Sequence, residues 1–422
     1  MSYVTFADVV HPSISFSKEQ ESEEIVLRLI DTAWFQRLRD ISQTANTRLV
    51  YMFSEHSRFG HCVGVAYLAN QLMDKLARSW DKEISQYRTA VSVAALLHDI
   101  GHLAPGSHTA YRTWFPDCSD MHETISRRII ADSPEIRSIL DEYSSTLIDQ
   151  VLDILKEDPK TPKWTWQLLS GGGWNVDRGN WCIVDSILAG VTYGRYNIDA
   201  LTDSLEITAD GELAIRDNRL DAMMHFALSR HAMYRQIYQH RVLLAADTVN
   251  FAITARARDL GDNLDFADSH MRKVLSSDSP ADLSLEDLFV MRESWWKYHL
   301  MQWSSDSDQI LADLSNRLLQ RRIFKTIRVR ADDNIEQLSE EIEKSVINSG
   351  FNPKYYQHHL THTYMHRGDD RQSLLVMHDD GSTTSLKEAE PLFDALLQET
   401  EIYNKSWIAV PEEVKQRLGR TR

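Results

Sequence analysis

Apolar positions along this chain recur mostly at three- and four-residue steps, the period of helices with one buried face. Between 23 and about 43, Ile25, Leu27, Leu29, Ile30, Trp34, Phe35, Leu38 and Ile41 predict one helix, followed by a loop at 44–46. A second helix starts near His56, with Val65, Leu68, Ala69, Leu72 and Leu76 as its core stripe. The stretch 91–108, VSVAALLHDIGHLAPGSH, predicts a buried helix broken by Gly101, Pro105 and Gly106. Further helices open at His122, fill 133–157 with Pro134 in a first turn, start beside Asp177, span about 218–255, and resume at 284–303 and 307–321.

Strand patterns are few. Residues 3–17 suggest short extended pieces around His11-Pro12, and LEITADGELAIR alternates around Asp210-Gly211 as a β-hairpin. Residues 256–280 are charged and polar and predict a loop or partly ordered connection. Past 322 the character changes: IFKTIRVR predicts a strand, 334–348 a helix, SLLVMHDDGSTTSL a second strand and turn, and 388–399 a final helix. The expected fold is mainly α: a helical bundle over 1–322 with a small β-hairpin, and a C-terminal mixed α/β appendage over 323–422 that is available for oligomer contacts.

With 422 residues, 42% hydrophobic and 26% charged, the chain is long enough for a large core and too apolar for disorder. Its net charge of −16 argues against broad binding to nucleic acid or to an anionic membrane. An anionic small molecule needs only a local cluster of Arg and Lys. The three cysteines, Cys62, Cys118 and Cys182, are far apart, which suggests a reducing compartment and no disulfide framework. The first 17 residues lack a charged-then-apolar leader, and no apolar run approaches ~18 residues, so a cytoplasmic protein without a membrane partner is expected.

The chemistry concentrates at 98–102. His98 and His102 are four apart and share a helix face, with Asp99 beside them. Two imidazoles and a carboxylate at the end of a buried helix suit a divalent metal, although mere capping of the helix end explains them too. His61 lies on the apolar stripe one turn before Val65. His122, at a helix start, sits in a positive potential that should lower its pKa. Asp177, Trp181 and Asp185 place carboxylate, ring and carboxylate on one face, a spacing equally compatible with capping by Asp177 and exposure of Asp185. Arg230, Tyr234, Tyr238 and Arg241 make another face basic and aromatic. His358, His359, His362 and His366 have no carboxylate or Cys at ligand spacing, and a metal site is not expected there.

These segments, in order over roughly 3–330, resemble the HD-domain deoxynucleoside triphosphate triphosphohydrolases, a family that includes bacterial dGTPases and dNTPases and the animal dNTPase with a sterile-alpha-motif domain. The likeness rests on FADVVHPSI, LIDTAWFQRLRDISQ, HSRFGHCVGVAYLA, LLHDIGH, GSH, HE, VDRGNWCIVDS, GVTYG and MYRQIYQH. It implies an HD-domain helical bundle and hydrolysis of deoxynucleoside triphosphates to deoxynucleoside and triphosphate. It also implies metal ligation by His61, His98, Asp99 and Asp177. That His₂Asp₂ set suits Fe, Mn, Zn, Ni or Co, with Mg or Mn on the substrate triphosphate. By the same resemblance, His102, His108 and His122 face the phosphates, with His108 the general acid. Arg58 and Arg230 hold the triphosphate, Gln43 lies near sugar and base, and Tyr234 belongs to the substrate face. Trp181 stands where the family has a Tyr against the sugar, and Asp185 near the 3′-hydroxyl. Homo-oligomers are also implied.

The chain departs from the family pattern at Asn180 and Trp181, which replace an Asp and a Tyr, at Thr44-Ala45 in place of Leu-Gly, and at Tyr111 in place of an acid. The first two changes bear on which sugar and base are accepted. They motivate one alternative, an HD phosphohydrolase for a ribo- or modified nucleotide; the other is a nucleotide sensor that binds without hydrolysing, against which an intact metal quartet argues.

Overall fold

The computed structural model describes residues 2–106, 108–330, 332–361, 374–393 and 405–419. It is mainly helical, with three small sheets among the described residues. The first two strands, β1 (Tyr3–Phe6) and β2 (Ile14–Ser17), pair antiparallel around the expected turn, Tyr3 opposite Ser17.

The single helix expected over 23–43 is divided. Helix α1 (Glu21–Ile30) ends, a short helix covers Ala33–Arg37, and a 3₁₀ turn covers Leu38–Asp40. Thr32 causes the break: its backbone is extended at φ −67° and ψ 147°, and its hydroxyl accepts from the Phe35 amide at 3.3 Å. Polar Arg37, within that run, is fully buried. Its guanidinium donates to the carbonyls of His102, Leu288, Phe289 and Met291 at 2.9–3.1 Å. Burial pulls its pKa down to about 9. Those bonds satisfy the buried donors and pin the backbone of His102.

Helix α2 (Arg58–Leu97) joins what the periodicity presents as two helices. It is not straight. Trp80 leaves helical geometry (φ −133°, ψ 39°), and the chain doubles back there. The Ser92 hydroxyl donates to Asn70 at 2.8 Å and Arg88 pairs with Asp74 at 2.8 Å, contacts that a straight helix forbids. Doubling back at Trp80 brings the first turn of α2, with His61, against its last, with His98; the two rings are 5.4 Å apart. Helix α4 (Val176–Leu188) packs against this hairpin, and helix α3 (His122–Asp132) is tied through Ser126 to the turn that follows it.

The LEITADGELAIR hairpin forms as β3 (Leu205–Ile207) and β4 (Leu213–Arg216), with Glu206 opposite Ala214. The helical span expected over 218–255 is two helices, α5 (Leu220–Met233) and α6 (Arg241–Leu260), separated by a π-turn at Tyr234–Tyr238. His240 caps α6 through Nδ1, which accepts from the Val242 amide at 3.3 Å. The region 256–280 is more ordered than its polarity suggests. Helix α6 runs on to Leu260, and a helix at Ser269–Ser276, capped by Asp268, buries Met271, Val274 and Leu275.

Towards the C-terminus, β5 (Lys325–Val329) and β6 (His358–Thr361) flank β9 (Ser406–Val410), all antiparallel. The hairpin β7 (Leu375–Met377) and β8 (Thr383–Ser385) lies elsewhere: β7 pairs parallel with β4, making a sheet of order β3-β4-β7-β8. Of the final helix expected at 388–399, a turn at Leu386–Ala389 is seen and 394–399 lie outside the described residues. His362 and His366 also lie outside them.

Candidate functional site

Helix α2 ends at Leu97, so His98 caps it and Asp99 to His102 form tight turns; the Ile100 amide donates to Leu97 at 3.2 Å and the His102 amide to Asp99 at 3.1 Å. His98 and His102 therefore do not share a helix face as their spacing suggests. The unwinding instead turns Asp99 inward beside both. Gly101 permits it, because a Cβ there would lie 2.3 Å from the His122 carbonyl and 2.5 Å from the Ser126 amide. The Ser126 hydroxyl accepts from the Gly101 amide at 2.9 Å and donates to the His98 carbonyl at 2.7 Å, tying this turn to α3.

Four predicted ligands converge. Oδ1 of Asp177 is 3.0 Å from Nε2 of His61 and 3.5 Å from Nε2 of His98; Asp99 puts Oδ2 3.6 Å from the first nitrogen and Oδ1 3.6 Å from the second. Nδ1 of His61 lies 2.9 Å from the Asn180 amide oxygen, and Nδ1 of His98 lies 2.9 Å from the Ala95 carbonyl. A carbonyl only accepts, so the Ala95 contact makes Nδ1 of His98 the donor. Burial opposes charge on the ring, but Asp99 and Asp177 outweigh it and raise its pKa to about 9; when the ring is neutral its lone pair is on Nε2. Both Nε2 atoms are buried without a hydrogen-bond partner. Two orphaned nitrogens facing two carboxylates, with their far sides held by carbonyl oxygens, fit a divalent metal. Asp177 is on α4, but its capping residue is Asn175, whose side chain accepts from the Arg178 amide at 2.8 Å. Burial opposes ionisation of Asp99, but Arg58, His98 and His102 outweigh it and hold its pKa well below the usual value. Burial also opposes ionisation of Asp177, and the two imidazoles outweigh it. Both acids are charged, and Oδ2 of Asp99 also accepts from the Arg58 guanidinium.

Beside this cluster, His102 and His122 stack with ring centroids 4.1 Å apart. Nε2 of His102 is 3.3 Å from Asp99. Asp120 accepts from Nδ1 of His108 with one oxygen and from Nδ1 of His122 with the other, each at 2.8 Å. Nε2 of each ring is thereby left for other partners. The expected lowering of the His122 pKa is reversed. Burial and the helix start oppose its charge, but Asp120 holds Nδ1 and raises the pKa. His102 goes the other way, lowered by burial and by Arg58 and His122. Tyr111 is buried, and its hydroxyl donates to the Gly101 carbonyl at 2.6 Å, away from proton transfer.

On α4, Asp185 is 3% exposed and not solvated as its spacing allows. It bonds Nε2 of His56 at 2.8 Å and the Tyr238 hydroxyl at 2.5 Å. Trp181 meets Tyr234 and Tyr238 edge-on, centroids 5.9 and 5.5 Å away, which makes one aromatic wall. A cavity of about 390 Å³ lies between these groups, lined by Gln43, Arg58, His98, Asp99, His108, His122, Asp177, Trp181, Asp185 and Tyr234 among others. Arg127 and Arg178 also line it. Arg230 and Arg241 are not among the lining residues; the Arg230 guanidinium lies against the Tyr234 ring, 5.3 Å from its centroid.

Sequence reasoning passed over Asp120, Asn180 as a partner of His61, and the Asp185 contacts of His56 and Tyr238. Asp120 stands two residues before His122, a spacing that carries no periodic signal. The others are contacts between distant segments.

The HD domain family matches residues 58–166, which include His61, His98, Asp99 and the three further histidines. The chain thus carries an HD domain over those residues. Asp177 lies outside the matched residues, so this HD domain takes its fourth candidate ligand from the following helix. The chain is 28% identical over 351 residues to the protein YwfO of Bacillus subtilis, covering 83% of this chain and 78% of that one. It is 25% identical over 295 residues to a protein of Dictyostelium discoideum named deoxynucleoside triphosphate triphosphohydrolase SAMHD1 homolog, covering 65% of this chain and 55% of that one. The chain thus spans about half the length of that relative. A phosphohydrolase structure from Bacteroides thetaiotaomicron superposes with TM-score 0.80 at 25% identity, covering 97% of this chain and 100% of that one. No described helix is long and apolar enough to cross a membrane.

Proposed function

We propose that this chain is a metal-dependent phosphohydrolase that converts deoxynucleoside triphosphates to deoxynucleoside and triphosphate. The observation that carries this reading is the convergence of His61, His98 and Asp177, with Asp99 beside them, at a cavity that His98, Asp99 and Asp177 line together with His108 and His122. The relatives named as dNTP triphosphohydrolases support it. So does the size of the cavity, which is within the range of small-molecule sites. A divalent metal in the His₂Asp₂ cluster supplies a Lewis acid and a more acidic water.

The chain's own residues do the rest. Arg58, Arg127 and Arg178 offset the charge of the triphosphate, which the net charge of −16 makes necessary. Water adds at the α-phosphorus, the bond to O5′ breaks, and its electron pair leaves on O5′. His108, steadied through Nδ1 by Asp120, gives O5′ a proton from Nε2. His122, steadied by the same carboxylate, faces the α-phosphate. The Trp181–Tyr238 wall bounds the sugar, and Asp185 takes the 3′-hydroxyl.

Incubation of the purified protein with each dNTP and rNTP, with Mg²⁺ or Mn²⁺, and chromatography of the products tests this reading. Tripolyphosphate and deoxynucleoside are expected, and His98→Ala and Asp177→Ala abolish them while the fold is kept. Release of orthophosphate or pyrophosphate, preference for ribonucleotides, or no turnover overturns it.

A further inference from the structure

His56 is not among the residues that line the cavity, yet it is bonded to two that are. Its carbonyl accepts from the Gln43 amide at 3.0 Å, and the Arg58 amide donates to the Ile41 carbonyl at 3.0 Å. Ser42 and Ser57 face each other between those bonds as an antiparallel bridge. The backbone of His56 is thereby fixed just before α2 begins. Its ring reaches across to α4, where Nε2 lies 2.8 Å from Oδ1 of Asp185. The two side chains are 13% and 4% exposed.

A carboxylate only accepts, so Nε2 is the donor. Nδ1 of His56 is buried and has no hydrogen-bond partner among the described residues. The ring's one polar tie among them is therefore to Asp185. A histidine kept for packing alone satisfies both nitrogens, since an unpaired buried nitrogen costs stability. On the other oxygen of Asp185, the Tyr238 hydroxyl donates at 2.5 Å, and burial and the Asp185 charge keep that hydroxyl protonated. Two donors from separate elements thus set the plane of one carboxylate. Two of its about four lone-pair sites are taken, which leaves about two for a ligand in the cavity it lines.

Asp185 stands away from the metal cluster on the same face of α4, about 12 Å along the helix from Asp177. Arg58 and Arg178 belong to the cluster's end, one paired with Asp99 and the other next to Asp177 in the chain. At the opposite end Asp185 repels phosphate and accepts from a hydroxyl. We propose that His56 is a positioning residue: through Nε2 it holds Asp185 in the orientation that accepts the sugar 3′-hydroxyl, and so sets how strongly that hydroxyl is required. Without this bond Asp185 turns about its own side-chain axis while still bonded to Tyr238, and the hydroxyl loses a fixed acceptor. The inference rests on the reading of the cavity as a nucleotide site and adds a residue that touches no substrate.

Glutamine and asparagine separate the two ring nitrogens, because the Gln amide nitrogen takes the place of Nε2 and the Asn one that of Nδ1. Calorimetry measures binding to the intact metal-loaded protein of dATP and dGTP analogues with a methylene in place of O5′, each with and without the 3′-hydroxyl. The native protein and His56→Gln bind the hydroxylated forms about tenfold or more tightly. His56→Asn and His56→Ala bring the two forms within about threefold of each other, by weakening only the hydroxylated one. Equal binding of both forms by the native protein overturns the proposal, whether or not any variant folds. A preference that survives in His56→Asn, or one that is lost alike in His56→Gln and His56→Asn, overturns it too. So does a loss common to both forms, which is what a purely structural role gives. Turnover without a 3′-preference sinks this proposal alone. A preference that depends on His56, without turnover, sinks only the hydrolytic reading, and no binding of any analogue sinks both.

Discussion

The side-chain oxygen of Asn180 lies 2.9 Å from Nδ1 of His61. With Nδ1–H donated to that oxygen, the ring is fixed in the tautomer whose Nε2 faces Asp177 and Asp99. An amide suffices for this, so replacing the family's carboxylate by Asn180 keeps the orientation and gives up only charge. Asn180→Ala removes the brace without touching a ligand. Its metal affinity, measured by competition with a chelating dye, falls about 10- to 100-fold. An unchanged affinity means that His61 is not held for a metal in this way.

Asp120 is the shared anchor of His108 and His122, and Asp120→Asn tests it. Burial opposes ionisation of Asp120, but its bonds to the two histidines outweigh this and hold its pKa far below the carboxylate range. Stability from that ionisation is present above the unfolded value near pH ~4 and lost as pH falls towards the folded one. The raised pKa of His122 contributes stability that is full below its unfolded value near ~6.5 and lost as pH rises through the folded value. Both groups are charged between those limits. The denaturant stability lost in Asp120→Asn is therefore greatest at about pH 4 to 6.5 and shrinks at higher pH. A loss that is constant from acid to alkaline pH contradicts the arrangement. The same variant turns over about 10²-fold more slowly, and its basic limb moves to lower pH as His122 loses its anion.

Close approach of α4 to α2 depends on Gly64. A Cβ at that position would meet the Asn180 amide nitrogen at 2.5 Å and its carbon at 3.2 Å. Gly64→Ala destabilises the protein by about 1–3 kcal/mol and displaces the brace of His61. At Gly60, one turn earlier on the same helix, a Cβ would have nothing within 4 Å. Gly60→Ala has the opposite sign, a gain of up to about 1 kcal/mol from helix propensity. Thermal melts of the two variants decide the point. Equal and small effects contradict the packing.

Much of this was legible in the residues. The apolar periods predict most of the longer helices, because each buries one face, and the alternation in LEITADGELAIR predicts its hairpin; short helices such as Ala110–Trp114 and Ile198–Thr202 are not predicted. Breaks and reversals are harder to see. Thr32 ends a helix through its hydroxyl while the apolar period runs on across it. Trp80 turns α2 back inside a charged stretch with no Gly or Pro to mark it. The helix at Ser269–Ser276 hides in polar sequence because only Met271, Val274 and Leu275 are buried. At the site, the local spacing of His98 to His102 predicts a helix face, whereas the cluster depends on that helix ending. Arg230 follows the family pattern, yet its guanidinium stacks on Tyr234 and is absent from the cavity lining. Partners such as Asn180 and Asp120 are fixed by tertiary packing, which no short-range pattern encodes.

The central claim is that His61, His98, Asp99 and Asp177 hold one divalent metal. Elemental analysis of the purified protein, after dialysis against metal-free buffer, measures this directly. The native chain is predicted to retain about one transition-metal ion per molecule, and folded Asp177→Ala and His98→Ala to retain about a tenth of that or less. Stoichiometric metal in both variants, or none in the native chain after growth with Fe, Mn, Zn, Ni and Co supplied, contradicts it.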